Sequence, residues 1–334
     1  MAISVSVIIP VRNSEDTIKS CLEAVFESDY ENFEVIVVDD YSTDCSLEII
    51  SNYPCKVIRL AKHFGASKAR NVGASHSNSD ILFFTDADCL LNSDTLTIAV
   101  DTLSSIDPSI VLGGTYSPQS ADNNFFSIFQ SVFINYSESK NASSPDYVAT
   151  HAMIIRTGEF YKHGCFAEDF LPILEDVEFS HRIRRHGFQL VLNPAIQVRH
   201  IFGYSLGKSM LNAFRKSMYW TAYSINNRDL LKDSGTASLG LKLNTLIWFI
   251  NILVLLSSIW TGEVIVLLVL VFTLILNTTW NRRLLLAFYK AGGSWFFTTA
   301  TAYYMLVYPV AVGLGGVTSL LKYQKFKKMI RPPD

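Results

Sequence analysis

Ile81-Leu82-Phe83-Phe84-Thr85-Asp86-Ala87-Asp88 runs from four apolar residues straight into two carboxylates. A short apolar run of this kind reads as a buried strand, and in open α/β sheets ligands collect outside strand carboxyl ends. Two acids at such an edge repel one another and are costly to bury unless a cation offsets them. In extended geometry the alternation Asp86-Ala87-Asp88 aims both acids the same way. Two hard oxygen ligands joined by a diphosphate suit Mg²⁺ or Mn²⁺, whereas a thiolate such as that of the adjacent Cys89 suits zinc better. The plain alternative for an isolated pair is a solvated turn or helix cap.

Upstream of that stretch, Val5 to Pro10 reads as a strand leading through Val11 to Asp16 into a helix from Thr17 to Ser28. A second strand, Phe33 to Val38, also ends in acids, Asp39-Asp40-Tyr41-Ser42-Thr43-Asp44. A helix from Ser46 to Ser51, a strand from Cys55 to Leu60 and a glycine-bearing loop and helix from Gly65 to Gly73 follow. This alternation predicts a parallel, doubly wound sheet, with Pro10, Asp39 and Asp86 delivering polar groups to one edge. Downstream, a helix from Asp94 to Ser105 and a strand from Ile110 to Thr115 precede a polar, irregular segment, Ser117 to Asp146, broken by the aromatic patch at Phe125 to Phe129. Tyr147 to Arg156 reads as a strand carrying Thr150 and His151. The run Glu175 to Gly187 places acids on the first turn of a helix and bases on its last, as the helix dipole favours.

The 334-residue chain has a net charge of -2, which gives no reason to expect a nucleic-acid partner. Hydrophobic residues make up 49% and charged ones 17%, with the apolar excess concentrated in the last third. The five cysteines are odd in number and include no C-x-x-C pair, so reduced thiols are expected. No secretory signal pattern precedes the first strand, and the N-terminal domain is expected to stay on the side of synthesis.

Four ordered motifs carry a resemblance: Pro10…Asn13…Glu15; Val38-Asp39-Asp40-Tyr41-Ser42-Thr43-Asp44; Gly65-x-Ser67-x-Ala69-Arg70-Asn71-x-Gly73; and Asp86-Ala87-Asp88. Over roughly Ser4 to His200 the chain resembles the family 2, GT-A-fold inverting glycosyltransferases. The resemblance implies a Rossmann-like, mostly parallel α/β sheet flanked by helices, a nucleotide-sugar donor, and Mn²⁺ or Mg²⁺ as cofactor. It implies that Asp40 hydrogen-bonds the nucleotide base, with Pro10 and Arg12 lining that pocket and Asn13 and Glu15 on the donor side. Arg70 would lie near the base or diphosphate, Asp86 and Asp88 would meet the sugar nucleotide and its metal, and His200 would be a third ligand or a strand-end histidine. A carboxylate can accept from a base N–H and Arg suits a diphosphate, so the residue types agree, although Arg70 could equally be a solvated helix residue. Glu175-Asp176, followed by Arg182 and Gly187, resembles the family's acceptor-side motif, in which Asp176 removes the acceptor proton. A hydroxyl is a poor nucleophile, and a positioned base contributes roughly 10²–10⁴-fold. No Gln-x-x-Arg-Trp follows, which disfavours a processive polymerase. Keeping Glu175-Asp176 favours a hydroxyl acceptor over the already ionised phosphate used by polyprenyl-phosphate sugar synthases. A non-catalytic sugar-nucleotide-binding membrane module is the alternative from another class.

In the last third, Leu211, Phe214, Met218, Ala222 and Ile225 share one helical face, with Lys208, Arg215 and Lys216 beside it. Such a helix suits a membrane interface or the flank of the preceding domain. Residues 239–260, 264–280 and 295–321 are candidate transmembrane helices, the first two joined by a tight link at Trp260-Thr261-Gly262-Glu263. The expected organisation is therefore a catalytic domain over 1–203, an interfacial helix and linker over 204–238, a membrane region over 239–321 and a basic tail over 322–334. Three crossings would send Lys322, Lys325, Lys327, Lys328 and Arg331 outside, against the positive-inside tendency. Re-entry of 295–321 at Pro309, Gly313, Gly315 and Gly316 would restore an even number. The expected location is the cell membrane, multi-pass, with the catalytic domain in the cytosol and a lipid or lipid-linked acceptor, as in glycolipid or cell-envelope polysaccharide synthesis.

Overall fold

A computed structural model describes residues 3–261 and 265–330. β1 (Val5–Val11), β2 (Phe33–Asp39), β3 (Lys56–Arg59) and β4 (Ile81–Phe84) lie parallel in the spatial order β3-β2-β1-β4. β1 and β4 are buried nearly throughout, as strands covered on both faces must be. Register pairs Val11 with Asp39 and Ile8 with Phe84, so three acidic or polar strand ends emerge along one edge. α1 (Ile18–Phe26) buries Ile18, Cys21, Leu22 and Val25, the spacing of one helical face. α2 (Ser46–Ile50) and α3 (Ala66–Ser75) complete the first half. Gly73 lets α3 lie flat on the sheet: a Cβ there would come within 2.5 Å of Ile8 Cγ2 and 3.2 Å of Val38 Cγ2. That close approach sets the position of Arg70, one turn earlier.

β5 (Cys89–Leu91), α4 (Thr95–Ser105), β6 (Ile110–Tyr116), α5 (Phe125–Ser139), β7 (Met153–Arg156), α6 (Thr157–Lys162), α7 (Glu175–Arg185) and β8 (Gln189–His200) follow. The eight-stranded order is β3-β2-β1-β4-β7-β6-β8-β5, with β7 antiparallel to β4 and β6, and β5 antiparallel to β8. The sheet is thus mixed and mostly parallel, as the resemblance implies, with β5 and β7 the antiparallel strands. Met153, Ile154 and Ile155 are all buried, and a strand apolar on both faces looks the same read in either direction.

Three local expectations also change. Ser117 to Asp146 is not irregular: α5 runs through it, capped by Asn124, whose side chain accepts from the Ser127 amide. Its Ser127, Gln130, Ser131, Ser137 and Glu138 are buried polar residues, which disguised a packed helix as a loop. Thr150–Ala152 forms a 3₁₀ turn, so the strand begins only at Met153. Asp86-Ala87-Asp88 is a turn closed by the Cys89 amide on Asp86 O (3.1 Å), so extended alternation does not aim the two acids. Phe84, Phe160, Phe166 and Phe179 pack with ring centroids 5.1–5.5 Å apart, and Phe179 fixes α7 against this core.

Residues 1–203 and 204–334 form two compact units. The second contains α8 (Leu206–Asn227), α9 (Leu239–Thr261), α10 (Ile265–Ala302), a π-turn (Tyr303–Val307) and α11 (Tyr308–Lys327). α10 breaks at Gly292 and Gly293, the latter at φ +68, and the chain doubles back: Phe288 meets Phe296 at 6.1 Å and Tyr289 meets Phe297 at 6.3 Å. The π-turn releases carbonyls from the helical ladder. Asn244 Nδ2 donates to Tyr304 O (2.8 Å) and Trp248 Nε1 to Leu306 O (2.9 Å). Asn277 Nδ2 donates to Asn244 Oδ1 (2.7 Å) and Asn281 Nδ2 to Asn277 Oδ1 (2.8 Å), so buried amides tie α9 to α10.

Two stretches, Leu239–Ile259 and Leu268–Lys327, are long and apolar enough to cross a membrane, the second interrupted by the glycine break. The expected span 264–280 continues as helix to the break, because Asn281, Arg282 and Arg283 leave the helical backbone intact. Pro309 to Gly316 is helical, with Pro309 in the first turn of α11, where a missing N–H costs nothing. The expected link at Trp260 to Glu263 falls on residues 262–264, outside the described residues.

Candidate active site

Arg70 joins the two ends of the site. It lies on α3, 4% exposed, and donates to Asp86 Oδ1 at 2.6 Å and to Glu175 Oε1 at 2.5 Å. Charge-assisted pairs of this length are strong, and both carboxylates and the guanidinium are largely removed from water. Burial alone would raise Asp86, but the Arg70 charge outweighs it and holds the carboxyl below its usual range. Burial acts against the Arg70 cation and is likewise overcome, by Asp86 and Glu175.

Asp88, two residues on, faces β8. His200 Nε2 lies 3.3 Å from Asp88 Oδ1, and these two with Cys89 present ligand atoms within 4.8 Å of one another. Burial first, and then the Asp86 charge, push Asp88 up to about 7. A divalent cation would remove that penalty. Burial, and then the Asp88 and Asp86 charges, push the Cys89 thiol well above its ordinary value. Carboxylate oxygens suit Mn²⁺ or Mg²⁺ and imidazole is a general ligand for transition metals, so Asp88 and His200 could hold a divalent cation.

The β1 and β2 ends meet across a short gap. Asn13, at φ +50, accepts from Thr43 N (2.8 Å) and its own amide donates to Ser42 Oγ (3.0 Å). Glu15 accepts from Cys45 N (2.9 Å) and its amide donates to Asp44 Oδ2 (3.0 Å). Asn13 and Glu15 therefore brace the two loops against each other. Asp40 accepts from Phe64 N (2.7 Å), Gly65 N (2.8 Å) and His63 Nδ1 (2.7 Å), while Arg12 Nη1 lies 2.9 Å from His63 Nε2. A guanidinium can only donate, so His63 accepts at Nε2 and donates at Nδ1. His63 was not anticipated. Its signal is a base, with Lys62, just before the Gly65 turn. Pro10 is the next-to-last residue of β1 and Arg12 follows its end, beside Asp40 at the end of β2.

Asp176 lies on the first turn of α7, entered through Leu174 in the left-handed region at φ +76. A branched residue there stores on the order of 1–3 kcal/mol, a cost that functional sites commonly carry. The Thr150 amide donates to Asp176 Oδ2 (3.3 Å), and burial, then the Glu175 charge, push Asp176 up to about 7. Arg182 pairs with Glu178 (2.9 Å) and donates to the carbonyls of His163 and Cys165, tying the preceding loop to α7. His151 stacks on Tyr116 at 4.0 Å and sits 3.4 Å from Glu138, which also accepts from Thr115 Oγ1 (2.9 Å). Glu138 was missed. It lies on the buried face of α5, four residues beyond Ile134.

Residues 6–160 match the family model described as glycosyl transferase family 2. The chain carries a family 2 glycosyltransferase domain. It is 27% identical over 174 residues to glycosyltransferase GlyA of Streptococcus pneumoniae, covering 49% of this chain and 25% of that protein. It is 36% identical over 116 residues to glycosyltransferase AglE of Haloferax volcanii, covering 33% and 38% respectively. The chain thus spans well under half the length of these curated relatives. Among solved structures it is similar to the mannosyltransferase PcManGT of Pyrobaculum calidifontis, in complex with GDP-Man and Mn²⁺, at a TM-score of 0.60 and 17% identity, over 97% of this chain and 88% of that one. That likeness establishes the GT-A fold.

Proposed function

We propose that the chain transfers one sugar, with inversion, from a nucleotide-sugar donor to a hydroxyl of a lipid or lipid-linked acceptor at the cytosolic face of a membrane. The observation that carries this reading is the Arg70 bridge, which draws the donor-side Asp86 and the acceptor-side Glu175-Asp176 turn into one buried cluster. Asp40, Pro10 and Arg12 flank the nucleotide base, with Asn13 and Glu15 holding their loops. Asp86, Asp88 and His200 would hold Mn²⁺ or Mg²⁺, which when bound offsets charge on the departing diphosphate.

Asp176 takes the proton of the acceptor hydroxyl as its oxygen forms a bond to the anomeric carbon. The bond from that carbon to the diphosphate breaks on the opposite side. A carboxylate raised to about 7 suits this task near neutral pH. Glu175 is held beside Asp176 by its ion pair with Arg70. The membrane reading is supported by the two long apolar stretches.

A screen of nucleotide sugars with Mn²⁺ and with Mg²⁺, using lipid extract as acceptor and mass spectrometry of the product, tests the proposal. Metal-dependent nucleotide release with one donor and a glycosylated lipid are expected. Absence of release with every donor would leave a non-catalytic binding module instead. Full transfer by Asp176→Asn would point to a phosphate acceptor, which needs no base.

A further inference from the structure

α11 is apolar enough to span, yet it runs beside a helix that is not. Tyr303 OH donates to Ser209 Oγ (2.9 Å), Ser217 Oγ donates to Val312 O (2.7 Å), and the Tyr219 and Phe326 rings meet at 5.4 Å. α8 and α11 therefore lie side by side in the same direction. At mid-length Gly315 permits the contact: a Cβ there would lie 2.4 Å from Phe214 O. Next to Phe214, Arg215 is exposed, and Lys208 is exposed a turn and more earlier. Were α11 to cross the hydrocarbon core, Arg215 would face lipid near its centre, where a guanidinium is least tolerated.

The other apolar helices behave differently. Leu253, Leu256 and Ile259 on α9 and Leu268, Phe272 and Ile275 on α10 are exposed, and no charge falls within 243–261 or 265–281; Lys242 lies in the first turn of α9, and Arg282, Arg283 and Lys290 follow the apolar part of α10. The π-turn and α11 are reached from α9 through Asn244, Trp248 and Phe249, all in its first half. α11 thus passes over the base of the α9–α10 pair rather than down its length. Opposite the α8-facing side, Leu306 of the π-turn and Leu314, Val317 and Leu321 of α11 are exposed, and past them Lys322 and Lys325.

We infer that α8 and α11 together form a docking surface for the headgroup layer of an anionic bilayer, and that only α9 and residues 265–281 cross it, which leaves Arg282, Arg283 and Lys290 on the side of the C-terminal lysines. The apolar stripe enters the acyl boundary and the lysines meet lipid phosphates. Two crossings return the C-terminal lysines to the side from which the chain enters α9, which removes the positive-inside conflict. This inference rests on the membrane association proposed above.

The test uses the full chain with a protease-cleavable tag after Asp334, in sealed membrane vesicles. Cys45, exposed in residues 1–203, is labelled with a membrane-impermeant maleimide in the same vesicles. Tag cleavage and Cys45 labelling from one common side are expected; access from opposite sides overturns the inference. Spin labels at Leu306, Leu314 and Leu321, with Cys45, Cys55 and Cys165 changed to Ser, report depth independently. They should agree within ~5 Å, whereas a span of 15 residues requires a difference of ~22 Å. Release of the chain by an alkaline carbonate wash would overturn the membrane reading itself, a failure distinct from retention with the wrong sidedness.

Discussion

Replacing Arg70 by Met removes the one cation shared by Asp86 and Glu175 and leaves two carboxylates facing each other in a largely dry cluster. Removing one member of a buried ion pair costs about 3–5 kcal/mol. Asp86 keeps 30% side-chain exposure and Glu175 12%, so the lower end, about 3 kcal/mol, is expected. For a unit of some 200 residues this lowers the melting temperature by roughly 6–12 °C. Arg70→Lys should lie between, because an ammonium on a flexible stem reaches one carboxylate and forgoes the fork that meets both. All five Trp lie beyond residue 203, so tryptophan fluorescence follows the second unit alone. Unfolding of the first unit is read instead by thiol labelling of the buried Cys21 and Cys89 during a thermal ramp. The pH dependence has a definite sign. Arg70 holds Asp86 below its ordinary 3.8, so the stability from this pair is present above that value and is lost as pH falls through the lowered one. The gap between wild type and Arg70→Met should therefore narrow below about pH 4. A melting temperature for Arg70→Met within 2 °C of wild type, taken here as roughly 1 kcal/mol or less, would refute the bridge as the link between the two motifs.

Asp176→Asn should lower turnover by at least ~10²-fold with the donor affinity little changed, as measured by steady-state kinetics. In the wild type kcat/KM should rise with pH through about 7, because the ionised form is the base; a flat profile between pH 5 and 8 contradicts the assignment. His200→Ala should weaken Mn²⁺ binding, followed by the free-Mn²⁺ EPR signal, by roughly 10–100-fold, and Asp88→Asn by more. Cys89→Ser should leave that binding unchanged, and a larger loss there than in His200→Ala would assign the metal to the thiol instead. Gly73→Ala, whose new methyl would sit 2.5 Å from Ile8 Cγ2, should cost about 1–3 kcal/mol in the Cys21 labelling assay, and a neutral outcome would show that α3 can lift off β1.

Much of the first half was legible because each strand there is a fully buried run closed by a turn or an acid. Val5–Val11, Phe33–Asp39 and Ile81–Phe84 have no competing reading. Direction was harder. A strand buried on both faces carries no mark of which way it runs, so only the pairing shows β7 to be antiparallel, and the three-residue β5 is too short to read as a strand at all. α5 was hidden for a related reason: its serines, Gln130 and Glu138 are polar by composition yet buried, and Glu138 meets Thr115 and His151, both distant in sequence.

The candidate site divides along the same line. Residues whose chemistry is costly alone, such as Asp86, Asp88 and the Glu175-Asp176 pair, announce themselves, because a strand or helix end does not gather acids without a counter-charge. Residues whose role is to satisfy those groups do not. The motif marks Arg70 as a donor-side residue, but its two partners appear only when Asp86 and Glu175 close on it, and His63 reads as a loop residue until Arg12 and Asp40 settle its tautomer. Thr150, singled out in the sequence, contributes an amide that any residue could supply. What decides the arrangement is therefore a set of distances between motifs far apart in the chain. Gly73 is where that becomes visible locally: by omitting one methyl it lets α3 approach the sheet and carries Arg70 to both carboxylates.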